Sequence, residues 1–324
     1  MSSCLESVRS AVDVVMYQQT LKHRIRCTGV GLHSGKRVAM TLNPAPPGTG
    51  VVFQRIDLPQ NEGCVPALWD RVCDTTLCST IANDHGARIA TVEHLMAALA
   101  GCEVDNVLVE LDSSEVPIMD GSAAPFVFLI ECAGLVRQQA MRRVIRILKT
   151  VSVEDGDKLV KLSPGNGLYV SLEIDFENPH VARQTHHFDI NGVTFKDELC
   201  RARTFGFETD IEELRNRGLA LGGSLQNAIV VGENGVINEG GLRYDDEFVR
   251  HKALDAVGDL YMAGAPIIGA YQGIRPGHGL NNELLRALFA DLDAWEMVEG
   301  STEGDVKVFS GWKQFQTAPI AAIA

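Results

Sequence analysis

The sequence predicts a duplicated α+β protein. Two observations carry that prediction: one order of strands and helices occurs twice along the 324 residues, and matching letters recur at a fixed offset. Ile25, Arg26, Leu42 and Pro44 stand 120 positions ahead of Ile145, Arg146, Leu162 and Pro164. A chain of this length holds about two domains at ~150 residues each. Agreement in element order favours one unit used twice over four coincidences of letter.

Residues 1–16 read as an extension, because strand-like sequence begins only at YQQTLKHRIR after Met16. The first domain is placed at residues 17–141. Its opening stretch, to about residue 90, alternates apolar and polar residues in runs such as RVAMTL and GVVFQRI, split by the turn cluster NPAPPGTG, and so reads as strands. TVEHLMAALAG then sets Val92, Leu95, Met96 and Leu99 on one helical face, with Gly101 placed as a stop. A strand NVLVEL, a turn MDGS and a second helix AAPFVFLIECAG complete the unit.

The second domain, residues 142–319, repeats the plan, with the boundary near Arg142. Strands run from VIRILKT through LYVSLEIDF. A helix HKALDAVGDLYMAG, a strand PIIGAYQGI, a loop PGHG and a helix NNELLRALFADL follow. Between them, residues 206–231 read as an inserted βαβ-like unit directly after the polar cluster RARTF. Residues 320–324 form a short tail.

Charge and cysteine usage narrow the function classes. Lys and Arg total 29 against 42 Asp and Glu, for a net charge of −13, so a nucleic-acid backbone is not an expected partner. The eight cysteines form no CxxC pair and read as reduced, mostly buried thiols of the cytosol. The N-terminal run AVDVVM is short and interrupted by Asp13, which supports neither a signal peptide nor a membrane span, and a cytoplasmic protein without stable membrane insertion is expected.

The chemistry starts from HKALDAVGDL. At ~100° per residue, His251 and Asp255 lie one turn apart beside an apolar stripe of Ala253, Leu254, Val257, Leu260 and Tyr261, and Gly258 leaves room for something to approach. Such a pair suits two ligands of one cation; it equally describes a solvated helix face. A catalytic zinc takes three protein ligands and keeps a position for water. The matching helix of the first half supplies His94, which completes a His2Asp set if the two helices face one another. Glu93, beside that ligand, is a candidate general base in an otherwise apolar helix, with an exposed glutamate as the alternative. His278 in PGHG can protonate a departing amine, Asp259 can orient it, and Lys252 and Thr204 can steady an oxyanion or a phosphate.

TVEHLMAALAG, PIMDGSAAPF, CRARTFGF, DEFVRHKALDAVGDL and PGHGLNN together resemble the UDP-3-O-acyl-N-acetylglucosamine deacetylases of lipid A biosynthesis, from about Tyr17 to Pro319. The resemblance implies a zinc-dependent amidase that removes acetate from the 2-amino group of a UDP-linked, acylated N-acetylglucosamine, the committed step toward the lipid anchor. By motif it implies His94, His251 and Asp255 as ligands of one Zn2+, Glu93 as base and His278 as acid. It implies Thr204 at the oxyanion, Lys252 and Asp259 in support, and Phe205, Lys252 and Arg203 as substrate contacts.

The fold it implies is two two-layer sandwiches packed with their helices inward, the site between them, and the insertion forming a passage for the acyl chain. The extension before Met16 lies outside the pattern, and PGHG replaces a serine-containing loop start. A fused dehydratase activity is not expected, since little sequence follows Pro319, and the tail TAPIAAIA is a candidate signal for a regulatory protease. The rival readings are a metal amidase for another N-acyl substrate and a non-catalytic nucleotide-sugar binder.

Overall fold

Period-two alternation does build the sheets. In the computed structural model, which describes residues 17–299 and 307–309, the strand Arg37–Pro44 buries Val38, Met40 and Leu42 and turns the residues between them outward. Ile267–Ile274 alternates in the same way. One face of each sheet is thus apolar and must be covered, and each such residue contributes roughly 1.5–3 kcal/mol when helices cover it. The helices are α1 (Glu93–Gly101), α2 (Ala124–Ala133), the single turn α3 (Gly192–Thr194), α4 (Ile211–Asn216), α5 (Glu247–Tyr261) and α6 (His278–Ala290).

The duplication is visible in strand order. In the first half the order is Ile25–Val30, Arg37–Pro44, Val107–Leu111, Val51–Arg55, Cys64–Pro66; in the second it is Val151–Asp155, Lys158–Ser163, Ile267–Ile274, Leu168–Asp175, Arg183–Ile190. Both run antiparallel, antiparallel, parallel, antiparallel across their neighbours. One row across the first sheet is Ile25, Leu42, Val109, Phe53, Val65, and the matching row across the second is Val151, Leu162, Tyr271, Val170, Phe188. The letter match is therefore right for Leu42 and Leu162 and accidental for Ile25 and Arg26. Their counterparts lie at Val151 onward, whereas Ile145 and Arg146 belong to the separate strand Arg143–Ile147.

The offset fails because the first-half hairpin is longer. Its strands are joined through residues 31–36, while the second-half hairpin closes on two residues with Gly156 at φ 62°. The inserted unit is the other departure from the repeat. Phe205–Phe207 runs parallel to Ile229–Gly232 through α4, and Gly235–Val236 pairs onto the latter, so the unit starts one residue earlier and ends later than the sequence suggests. These two non-repeated pieces touch: the Leu221 and Gly222 amides donate to the His33 and Leu32 carbonyls at 3.2 and 3.0 Å.

Other expectations change in detail. Gly101 is the last residue of α1, and its lack of a side chain admits the Phe195 ring, which a Cβ would meet at 2.0 Å. Cys73 and Cys132 are exposed, and Cys78, Cys102 and Cys200 are buried; all are free. No helix among the described residues is long and apolar enough to cross a membrane. The extension at 1–16 and the tail at 320–324 lie outside the described residues.

Candidate active site

α1 is buried on every side, as a helix of Leu, Met and Ala lying between a sheet and another helix must be. The other helix is α5. Gly258 brings the backbones together: a Cβ there would stand 2.0 Å from the Glu93 carbonyl oxygen. The space that Gly258 leaves is thus filled by the first turn of α1, which carries Glu93 and His94. His251, Asp255 and Asp259, four residues apart, are each at most 4 % exposed, which removes the solvated-face alternative.

Three of these side chains converge. His94 Nε2 lies 3.5 Å and His251 Nε2 3.3 Å from Asp255 Oδ1, with the two rings edge to face at 4.9 Å between centroids. Ligands at ~2.0–2.1 Å from a tetrahedral ion stand about 3.4 Å apart, so the spacing fits one zinc-sized cation. Asp255 Oδ1 is buried with no hydrogen-bond partner, whereas Oδ2 accepts from Lys252 Nζ at 2.8 Å. An orphaned carboxylate oxygen costs at least about 1–3 kcal/mol unless a cation takes it. His251 Nδ1–H donates to the Ala202 carbonyl at 3.1 Å, which turns the Nε2 lone pair toward the cluster.

Electrostatics favour the ligating forms. Burial pushes His251 down to about 4, so the imidazole is neutral. Burial works against ionised Asp255, but the Lys252 ammonium bonded to its Oδ2 more than offsets this, and the carboxyl is held well below the usual range. Lys252 is half-buried; desolvation works against its charge, but Asp255 prevails and raises its pKa.

A second group adjoins the first. Glu93, 2 % exposed, accepts the Ser79 amide on Oε2 at 3.0 Å and turns Oε1 toward His278 Nε2 at 3.9 Å. Burial pushes its carboxyl up, against the pull of the His278 and His94 imidazoles. His278 is the first residue of α6 and not a loop residue as expected; Gly277 caps the helix in extended conformation. Its Nδ1–H donates to Asp259 Oδ2 at 2.9 Å. Burial opposes the imidazolium, but Asp259 and Glu93 prevail and push it up to about 9.

Three residues absent from the sequence reading complete this group. Asn281 Nδ2 donates to Asp259 Oδ2 at 2.8 Å, Tyr271 Oη donates to Asn281 Oδ1 at 2.6 Å, and Ser79 Oγ donates to Asp259 Oδ1 at 2.6 Å. Asn281 stands three residues after His278 on the same helix, a spacing that could have revealed it; nothing in LCST marks Ser79.

The cluster RARTF borders the site with unequal duties. The Phe205 ring packs against Phe248 at 4.9 Å and His251 at 6.4 Å, and touches Phe176 and Phe207. Thr204 sits two residues past the carbonyl that holds His251, its amide donating to the Gly121 carbonyl at 2.8 Å. Arg203 is bound through Nε and Nη2 to the fully buried Glu247 and through Nη2 to the Gly241 carbonyl. Its guanidinium therefore braces the start of α5, and only its remaining N–H groups are available to a substrate.

A model of the UDP-3-O-acyl N-acetylglycosamine deacetylase family matches residues 18–290. The chain is 55 % identical over 288 residues to the UDP-3-O-acyl-N-acetylglucosamine deacetylase of Stenotrophomonas maltophilia, covering 88 % of this chain and 94 % of that protein. With the protein of the same name from Chromohalobacter salexigens it shares 52 % over 309 residues, 95 % and 98 % of the two chains. With that of Shewanella frigidimarina it shares 50 % over 296 residues, 91 % and 96 %.

Proposed function

Since the chain belongs to the UDP-3-O-acyl N-acetylglycosamine deacetylase family, we propose that its paired helices hydrolyse the N-acetyl group of a UDP-linked 3-O-acyl-N-acetylglucosamine. The products are acetate and the free 2-amine, and the reaction serves lipid A biosynthesis in the cytoplasm. The observation that carries the site assignment is the convergence of two imidazoles and an otherwise unpartnered carboxylate oxygen between α1 and α5.

His94, His251 and Asp255 hold the metal, which we take to be zinc on the strength of the nitrogen-rich donor set. When bound, zinc lowers the pKa of water toward neutrality and polarises a carbonyl. Glu93 Oε1 takes the proton of the attacking water; the burial that raises its carboxyl suits it to that task near neutral pH. The Thr204 hydroxyl and the Lys252 ammonium stabilise the oxyanion that forms as the C–O bond is made. His278 Nε2–H gives its proton to the nitrogen as the C–N bond breaks, and Asp259 holds the imidazolium in place from Nδ1.

Phe205 and the remaining donors of Arg203 and Lys252 contact the substrate, and the inserted unit, with exposed Leu221, Leu225 and Ile237, lines the acyl-chain path. We place the domain boundary at Arg142, between Leu135–Met141 and Arg143–Ile147. Metal analysis of purified protein together with assays on UDP-sugars with and without the 3-O-acyl chain tests the assignment. One zinc per chain and acyl-dependent acetate release are expected. Equal turnover of both sugars would favour an amidase of different substrate, and binding without acetate release would favour the non-catalytic reading.

A further inference from the structure

We propose that Ser79 is a positioning residue that fixes the catalytic carboxylates of the two halves relative to one another, an inference that rests on the deacetylase reading above. Ser79 is 1 % exposed and belongs to the segment just before the strand Thr80–Ala82 of the first half. All three of its polar groups are used. Its amide donates to Glu93 Oε2 at 3.0 Å, its hydroxyl donates to Asp259 Oδ1 at 2.6 Å, and its carbonyl accepts the Val92 amide at the start of α1 at 3.3 Å.

The two donor bonds divide the work of each carboxylate between its oxygens. In Glu93 the rear oxygen, Oε2, is held by Ser79 and the front oxygen, Oε1, faces His278 Nε2. In Asp259 the rear oxygen, Oδ1, is held by Ser79 and the front oxygen, Oδ2, accepts His278 Nδ1–H. One residue therefore stands behind both carboxylates that flank the imidazole, through its amide on Glu93 and its hydroxyl on Asp259. Without such donors, two carboxylates buried this close together would repel, and each would rotate about its last torsion toward whatever donor it could find.

Because it bridges Glu93 on α1 to Asp259 on α5, Ser79 also sets the base and the acid in register across the interface. A displacement of about 1 Å in such a pair costs on the order of 100-fold in rate. The proposal separates Ser79 from residues that touch the substrate: it acts only through Glu93 and Asp259, so its loss should alter turnover and not substrate affinity.

Ser79→Ala keeps the amide bond to Glu93 and removes only the hydroxyl bond to Asp259. On the zinc-loaded full-length chain, this variant is expected to lower kcat about 10- to 100-fold with KM within about two-fold and metal stoichiometry unchanged, and Ser79→Thr, which keeps a hydroxyl, to restore kcat to within a few-fold. The His278 imidazole signals in histidine-labelled NMR spectra should move in Ser79→Ala and return in Ser79→Thr. In a double-mutant cycle, Ser79→Ala should cost much less once Asp259 is already Asn.

Wild-type kcat in Ser79→Ala, a fall in activity that tracks lost metal, failure of Thr to rescue a well-folded variant, or additive costs in the cycle would each overturn the proposal. If the wild-type chain itself releases no acetate, it is the deacetylase reading that fails. The His278 signals still report whether Ser79 acts on Asp259.

Discussion

The two halves share a scaffold and divide the chemistry unequally. α1 and α5 pack against each other across the two halves, yet α1 contributes polar groups only in its first turn, Glu93 and His94, and is otherwise Leu, Met, Ala and a final Gly. α5 carries His251, Lys252, Asp255 and Asp259 along more than two turns. The second helices differ in the same direction: α2 starts Ala124, Pro125, whereas α6 starts with His278 and places Asn281 one turn on. What the repeat preserves is the apolar row across each sheet, where any residue of the right shape packs. The polar residues are tolerated in the interior because each half answers the other: His94 with Asp255, Ser79 with Asp259, Glu93 with His278.

The sharpest way to break that division is to remove the proposed base, Glu93, which the first half supplies. Glu93→Gln preserves shape and the Ser79 amide contact, so retained metal with kcat reduced about 10²- to 10⁴-fold is expected, measured by acetate release beside metal analysis. Activity near wild type would return the base to the second half. Asp259→Asn probes the other side. His278 is held up to about 9 by Asp259 and Glu93 against burial, so the imidazolium is present at neutral pH and is lost as pH rises through that value. Removing the carboxylate should move the alkaline limb of the kcat profile to lower pH, on the order of one unit; an unmoved limb would mean that His278 does not report there.

Gly258→Ala tests whether the halves truly meet backbone to backbone. The added methyl must displace the Glu93 carbonyl, which is expected to cost about 1–3 kcal/mol in denaturant unfolding and to lower activity with it. The smallest effect should come from Gly222→Ala, whose Cβ would stand 2.2 Å from the Gly31 carbonyl where the inserted unit rests on the long hairpin. A few-fold rise in KM for the acylated substrate with little change in kcat would tie that contact to the acyl path; a change in kcat alone would detach it.

The repeated strand order and the convergence of His94, His251 and Asp255 were legible because each has a period: two in the strands, four along α5, one copy in each half. Where periodicity ended, the reading faltered. Ile25 and Arg26 matched the wrong strand because a hairpin changed length, and no pattern of letters records a loop's length until the register is known. His278 was placed in a loop because Pro276 and Gly277 hide a helix that starts at once behind them. Ser79 was invisible because its role depends on a bond to a residue far along the chain. The Glu247 partner of Arg203 was equally invisible, because that buried carboxylate is distant in sequence.

The bare glycine at position 258 has one last implication. With the carbonyl of Glu93 seated against it, any parting of the halves along this line would carry Glu93 away from His278. The missing side chain at one position is thus what lets two helices from different halves bring an acid–base pair within reach of one another.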